Sequence, residues 1–306
     1  MLTRTTSDRR FLLRPGPLVN QVFGYCLFAA AEQYGTLLHA CTVLSNHVHL
    51  IVTAPEEQLS DFNAWLNRAV ACCLLEQYRD DYPDETLETV WSASKPHELT
   101  LSNKEAILSK MQYLYTNTVK DLLVHDYRKW PGLTSRPRDM LDGGKKYTFT
   151  RPELYFAEHT TAPEEVTGKF TIPPVFADED PADFIRTVEA LVSEEQQRLQ
   201  AKNAGKTYLG AKAAMKVHPL DSPKNQRPRR NLTPTVAAGG DRDVLREAKK
   251  AVIAFRRAYR AAWLKFQETG TALFPPGTLN MHHRYQQERE EENGFFDWCV
   301  RYRAPA

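Results

Sequence analysis

Asn46-His47-Val48-His49-Leu50-Ile51-Val52 is the stretch on which the reading turns. Its apolar run predicts a strand, and strand side chains alternate with period two. His47 and His49 therefore share one face, while Val48, Leu50 and Val52 take the other, toward a core. Just upstream, Leu37–Leu44 (LLHACTVL) reads as a second strand, joined to His47–Ala54 by Ser45-Asn46, a loop of hairpin length. Each neutral imidazole offers one nitrogen lone pair, so two on one rigid face make a natural pair of metal ligands. The plainer alternative is a pair of partly buried histidines with satisfied hydrogen bonds.

Outward from the hairpin, Arg9–Arg14 (RRFLLR) predicts a short strand, and Pro15-Gly16-Pro17 leads into a helix from Leu18 to Tyr34 that Gly35 stops. Val19, Val22, Phe23, Cys26, Leu27 and Ala30 form its apolar stripe. Ser60-Asp61 is the expected cap of a helix through Tyr78. Ser102 or Asn103 caps another, from Lys104 to Val124. At about 100° per residue, Leu114, Tyr115, Thr118, Val119 and Leu122 of that helix fall on one arc. Tyr113 and Asn117 fall on the opposite, polar side, flanked by Lys110 and Lys120. The helix is thus expected to bury Tyr115 and present Tyr113, with Asn117 one turn on.

The chain has 306 residues, 42% hydrophobic and 25% charged, enough for one large domain or two ordinary ones. It contains no 18-residue apolar run, so a membrane partner is not expected. The opening MLTRTTSDRRFLLRPGP lacks an apolar stretch suited to secretion. Five cysteines (Cys26, Cys41, Cys72, Cys73, Cys299) show no CxxC or zinc spacing and read as reduced thiols of a cytosolic protein.

The net charge of +2 conceals an uneven distribution. Residues 201–260 carry fifteen basic side chains against four acidic ones, either a polyanion footprint or a solvated stretch. The organisation expected is a compact α+β unit over 1–135, then an irregular connection over 136–202. The latter holds short strands (YTFT, KFTIPPVF) and an acidic helix at Pro181–Lys202. A basic Pro/Gly linker over 203–240 follows, and then a basic helix and tail over 241–306. Asp241 caps that last helix. Its stripe of Val244, Leu245, Ala248, Val252, Phe255, Tyr259 and Trp263 is expected to dock on the body, leaving Arg246, Lys249, Lys250, Arg256, Arg257 and Arg260 free.

His-hydrophobic-His followed some sixty residues later by Tyr-x-x-x-Asn resembles the single-tyrosine HUH transposases, in particular their REP-associated branch. The resemblance covers roughly residues 8–135, including VNQVFGYCLFAAAEQYG, LHACTVLSNHVHLIV, YLYTNTVKDLLV and the closing WPGL. It departs where the family often writes Asn-Pro-Val (here Asn117-Thr118-Val119) and Met-Pro-Asn-His (here Leu44-Ser45-Asn46-His47). The resemblance implies a ferredoxin-like antiparallel sheet with helices packed on it, followed here by the basic, largely helical extension. It also implies a divalent metal, Mg²⁺ or Mn²⁺, on His47, His49 and Asn117. Tyr113 would be the nucleophile that cleaves and rejoins single-stranded DNA near hairpin repeats, through a 5′-phosphotyrosine.

Arg9, Arg10, Arg14, Lys110, Lys120, Arg227, Arg229, Arg230, Arg256, Arg257 and Arg260 are the candidate phosphate contacts. His39, Cys72-Cys73, Trp91 and Trp130 are read as packing residues, and His282-His283 as surface. The alternatives are a catalytically silent DNA-hairpin-binding regulator and, less favoured, an RNA-binding module. Monomer and homodimer stay equally open. A nucleoid-associated cytoplasmic location goes with the DNA reading.

Overall fold

Short strands and long helices alternate along the first hundred residues, as the hydrophobic periodicity predicts. The computed structural model describes residues 1–55, 58–156, 162–224, 235–275, 278, 281 and 285–288. Its elements are β1 (Leu2–Thr5), α1 (Pro17–Gln33), β2 (Leu37–Val43), β3 (His47–Thr53), α2 (Leu59–Asp81), β4 (His97–Glu98), β5 (Thr100–Leu101) and α3 (Lys104–Lys120). Then come β6 (Tyr147–Thr150), α4 (Glu153–Phe156), β7 (Glu165–Gly168), α5 (Pro181–Lys202), α6 (Ala211–Ala214), β8 (Val236–Ala237) and α7 (Arg242–Thr269). The class is mixed α+β. The chain divides into two compact units, residues 1–99 with 108–233, and residues 100–107 with 234–306. The first turn of α3 thus counts with the second unit and the rest of the helix with the first.

The first unit is built on a four-stranded antiparallel sheet in the order β2-β3-β1-β4. β2 and β3 form the expected hairpin, closed by Leu44 N–H donating to His47 O (2.9 Å). The strand expected at Arg9–Arg14 lies instead at Leu2–Thr5, where Leu2 pairs with Leu50 and Thr3 with His49. Asp8 and Arg9 take left-handed backbone angles (φ 50° and 54°), which no strand accommodates, and Leu12 and Leu13 are buried in turns. The anticipated cap of α2 also differs. The helix begins at Leu59, one residue ahead of Ser60, and Gln58 precedes it without a side-chain cap.

α1 is buried nearly all round rather than along one stripe, with Tyr25, Cys26, Leu27 and Ala30 fully inaccessible. The extra cover comes from residues 136–180, which read as an irregular connection. Tyr147, Phe149 and Phe170 gather around Phe28 with ring centroids 5.7–5.9 Å away. Gly24 lets the ribbon come this close, since a Cβ there would overlap the Phe149 ring. YTFT forms β6 as expected. Its partner is Glu165–Gly168, not KFTIPPVF, because Pro173 and Pro174 cannot donate to a ladder and a 3-10 turn forms there instead.

α5 spans the predicted Pro181–Lys202, with the Asp180 carboxylate accepting from Asp183 N–H at 2.9 Å. Beyond it, Leu209 and Gly210 N–H donate to Leu122 and Leu123 carbonyls (2.9 and 2.8 Å), and Ala214 is buried against Val124 and Trp130. Phe11 N–H reaches Asp221 O at 2.8 Å, so residues 203–224 pack within the first unit.

In the second unit β5 and β8 pair in parallel, and Asn103 Oδ1 caps α3 by accepting from Ala106 N–H (2.9 Å). Asp241 caps α7 as predicted, and Gly270 ends it in the left-handed conformation (φ 74°). The chain after α7 folds back, so Tyr259, Ala262, Trp263 and Phe266 pack with Ala272, Phe274 and Met281. Among the described residues no helix is long and apolar enough to cross a membrane.

Candidate functional site

The pleat of β3 sets His47 and His49 on one face, and their registers with β1 give each a fixed neighbour, Thr5 for His47 and Thr3 for His49. The two rings lie 4.9 Å apart at 80°. His47 Nδ1–H donates to Asn46 Oδ1 at 2.8 Å, and Asn46 is itself locked because its Nδ2 donates to Arg9 O (3.2 Å). That bond leaves the His47 Nε2 lone pair free to accept from Asn117 Nδ2–H at 3.2 Å. His49 Nδ1 meets Thr3 Oγ1 at 2.9 Å, while His49 Nε2 is buried with no partner. Both rings are thus held at Nδ1 by protein and present Nε2 inward, the arrangement that orients an imidazole toward a ligand.

Burial pushes His47 down to about 4, with Arg9 and Lys120 adding to the effect. Burial also lowers His49, followed by the positive influence of His47, Lys120, His97 and Lys110. At neutral pH both rings are uncharged, with lone pairs available.

α3 brings Tyr113 and Asn117 to this face. The Tyr113 ring stands 5.3 Å from His49 at 71°, half-buried, with Lys120 Nζ 4.7 Å and Lys110 Nζ 5.8 Å from its centroid. Burial raises its phenol above the ordinary value, and Asp121 adds to this. Tyr115 is fully buried, sharing a 3.2 Å hydrogen bond with Ser135 Oγ, as the helical phase predicts. Asn117 corrects the expectation of a polar outer side. It is 1% exposed, because residues 114–119 of α3 are buried all round. A single amphipathic stripe does not describe a helix packed on two sides.

Among the described residues no three His, Cys, Asp or Glu gather into a metal-binding group. A three-ligand set here requires the Asn117 amide. The donors fit a divalent cation: the Nε2 atoms of His47 and His49 are neutral, and the Asn117 amide, whose Nδ2 donates to His47 Nε2 here, would supply its oxygen on turning over. Neutral imidazoles suit Mn²⁺ at least as well as Mg²⁺.

The candidate phosphate contacts divide three ways. Arg9 lies beside His47 electrostatically, and Lys110 and Lys120 face Tyr113, so these three surround the site. Arg10 is half-buried nearby in sequence, and Arg14 is committed to structure, donating to Val217 O at 3.1 Å. Arg256, Arg257 and Arg260 are exposed on α7 in the second unit. Arg227, Arg229, Arg230, His282, His283 and Cys299 lie outside the described residues. Two cations expected to be free on α7 are paired locally, Arg246 with Asp243 (2.7 Å) and Lys250 with Glu247 (2.9 Å).

His39, Trp91 and Trp130 are packing residues, as expected. His39 donates from Nδ1 to Thr171 O (2.8 Å) and accepts at Nε2 from Thr53 Oγ1 (2.9 Å). Trp91 and Trp130 spend their indole N–H on Asn67 O and Val43 O. The four described cysteines are free thiols. Thr3 and His97 escaped the sequence reading. They lie in one register row with His49 across β4, β1 and β3, a row hidden once β1 was placed eight residues too late.

No protein-family model, no curated protein and no solved structure matches the chain.

Proposed function

We propose that the chain is a metal-dependent, single-tyrosine nuclease or transposase of the HUH type, acting on single-stranded DNA near hairpin repeats. The path β1-α1-β2-β3-α2-β4 follows the βαββαβ order of ferredoxin-like sheets, which supports that fold. The observation that carries the reading is the convergence of His47 Nε2, the unpartnered His49 Nε2, Asn117 and the Tyr113 ring in one place.

A bound divalent ion would supply charge neutralisation for the attacked phosphodiester. Asn46 and Thr3 hold the two imidazoles in orientation, and the Asn117 amide, hydrogen-bonded to His47 Nε2, would complete the ligand set through its oxygen. Tyr113 is the nucleophile. Its oxygen forms a bond to phosphorus as the P–O3′ bond breaks, leaving a 5′-phosphotyrosine. The phenolic proton passes to solvent, and the departing oxygen takes one up as a free 3′-OH. Lys110 and Lys120 favour the developing negative charge against the opposing effect of burial. A silent DNA-binding descendant has no use for a buried, unpartnered Nε2 beside a half-exposed phenol, so the catalytic reading is preferred.

The deciding experiment incubates the full chain with a hairpin-bearing single-stranded oligonucleotide and Mn²⁺ and looks for a covalent adduct. The expected result is an adduct with the wild type that Tyr113→Phe abolishes while hairpin binding persists. Undiminished attachment by Tyr113→Phe, or in excess EDTA, sinks the proposal.

A further inference from the structure

Both ligand nitrogens of the histidine pair are closed by neighbours on α3. His47 Nε2 accepts from Asn117 Nδ2–H at 3.2 Å. His49 Nε2 has no surface open to solvent, and its ring lies edge-on to that of Tyr113 with centroids 5.3 Å apart. For the Asn117 oxygen to face a cation, the amide must turn over. That breaks its bond to His47 and leaves a buried N–H in need of another acceptor. Asn117 is 1% exposed, so solvent is not at hand to supply one.

Among the described residues, the groups that act on these imidazoles are basic. Arg9 and Lys120 act on His47, and Lys120 and Lys110, with His97, on His49. Lys120 Nζ and Lys110 Nζ stand 4.7 and 5.8 Å from the Tyr113 ring centroid. Arg9 is fixed through its backbone. Asn46 Nδ2 donates to Arg9 O (3.2 Å) while Asn46 Oδ1 accepts from His47 Nδ1–H (2.8 Å), so one side chain holds both residues. Nearby acids are turned to other groups. Asp121 bears on Tyr113, and Glu195, which senses Lys120, is paired with Arg198 at 2.6 Å. The three candidate ligands, two imidazoles and an amide, bring no negative charge of their own.

We propose that the site binds a divalent cation and a DNA phosphate as a pair, each raising the affinity for the other. The inference rests on the function proposed above and concerns how that centre is loaded. A bare divalent ion meets three cations, finds no anionic ligand and must break the Asn117–His47 bond. A phosphodiester brings the missing negative charge, with oxygens that the metal and the cations can share. By linkage the effect is reciprocal: DNA tightens the metal by the factor with which the metal tightens DNA. The cation is then held firmly only where a strand is in place to be cut.

The test uses the full chain as Tyr113→Phe, which forms no adduct, with Mn²⁺ and a hairpin-bearing single-stranded oligonucleotide. Nitrogen modulation in the Mn²⁺ spin-echo signal counts ions on imidazole and passes over those held by phosphate alone. Saturating oligonucleotide is expected to raise the affinity for imidazole-bound Mn²⁺ on the order of ten- to a hundred-fold, and Mn²⁺ to tighten the oligonucleotide equally. Lys120→Gln, at an exposed position, should raise Mn²⁺ affinity without DNA about three-fold and shrink the DNA effect. Arg9→Gln should do likewise. Asn117→Asp supplies a carboxylate oxygen with no amide to turn, and should bind Mn²⁺ tightest of all without DNA. Equal Mn²⁺ affinity with and without an oligonucleotide that the protein binds overturns the coupling and leaves the parent function standing. A coupling undiminished in both Lys120→Gln and Arg9→Gln overturns the part given to the cations. Bound oligonucleotide with no imidazole-bound Mn²⁺ under either condition overturns the metal-dependent function and the coupling with it.

Discussion

The histidine face of the first unit and the basic face of α7 in the second handle polar groups in opposite ways. His49 and Asn117 are buried and His47 half-buried, and all three are uncharged and fixed by named partners. The α7 cations are exposed, charged and partly paired with acids one turn away. Preorganised neutral ligands suit chemistry that fails when one of them is lost. Exposed cations suit graded attraction that salt can tune. Substitutions in the two regions should therefore differ in kind as well as in size.

The largest expected effect is at the imidazoles. His47→Ala or His49→Ala should lower adduct formation on the order of 10³-fold or more, measured with Mn²⁺ at saturating oligonucleotide. Their holders should matter less. Asn46→Ala and Thr3→Val should each cost about 10- to 100-fold, part of it recoverable at higher Mn²⁺. Holder variants as inactive as the ligand variants would erase the distinction between binding and orienting.

How much of this was visible beforehand follows the reach of each signal. Period two in His47–Val52 and the helical phase of Tyr113 against Tyr115 are local, and both survive folding. The Asp241 cap is also local and marks its helix correctly. Thr3 as the partner of His49 is a long-range pairing, and the apolar RRFLLR drew the strand away from LTRT. The burial of Asn117 depends on what covers the second side of α3, which no wheel reports.

A second fully buried histidine extends the contrast to stability. His39 is held down to about 4 by burial, against an unfolded value near 6.5. Between those values the unfolded chain binds the extra proton, so stability rises with pH. The contribution is whole above about 6.5 and is lost as pH falls through about 4. Its size is on the order of 3 kcal/mol. Urea unfolding of wild type and His39→Gln across pH 7.5 to 4 should show the difference between them shrinking by about that much. Parallel curves would assign the acid sensitivity elsewhere. Smaller still is Tyr115→Phe, which forfeits one buried hydrogen bond to Ser135, about 1 kcal/mol, and should leave the adduct rate unchanged. An inactive Tyr115→Phe would reverse the assignment of the two tyrosines.

The smallest effect on chemistry is expected on α7, where the basic face is tested by salt. Arg256, Arg257 and Arg260 are exposed, so replacing all three with Ala should leave the thermal midpoint nearly unaltered. Arg246 and Lys250 are poorer choices, because each already spends its charge on an acid of the same helix. A cation that contacts phosphate releases condensed counterions, and each such contact adds roughly 0.7–0.9 to the slope of log K against log salt. The triple variant should therefore bind hairpin DNA more weakly at low salt, with a slope flatter by up to about 2 to 3. Its adduct rate at saturating DNA should match the wild type. Unaltered affinity and slope would make the α7 charges a solvated surface with no part in DNA binding. An altered rate at saturation would mean that the second unit enters the chemistry, and the contrast between the two regions would have to be redrawn.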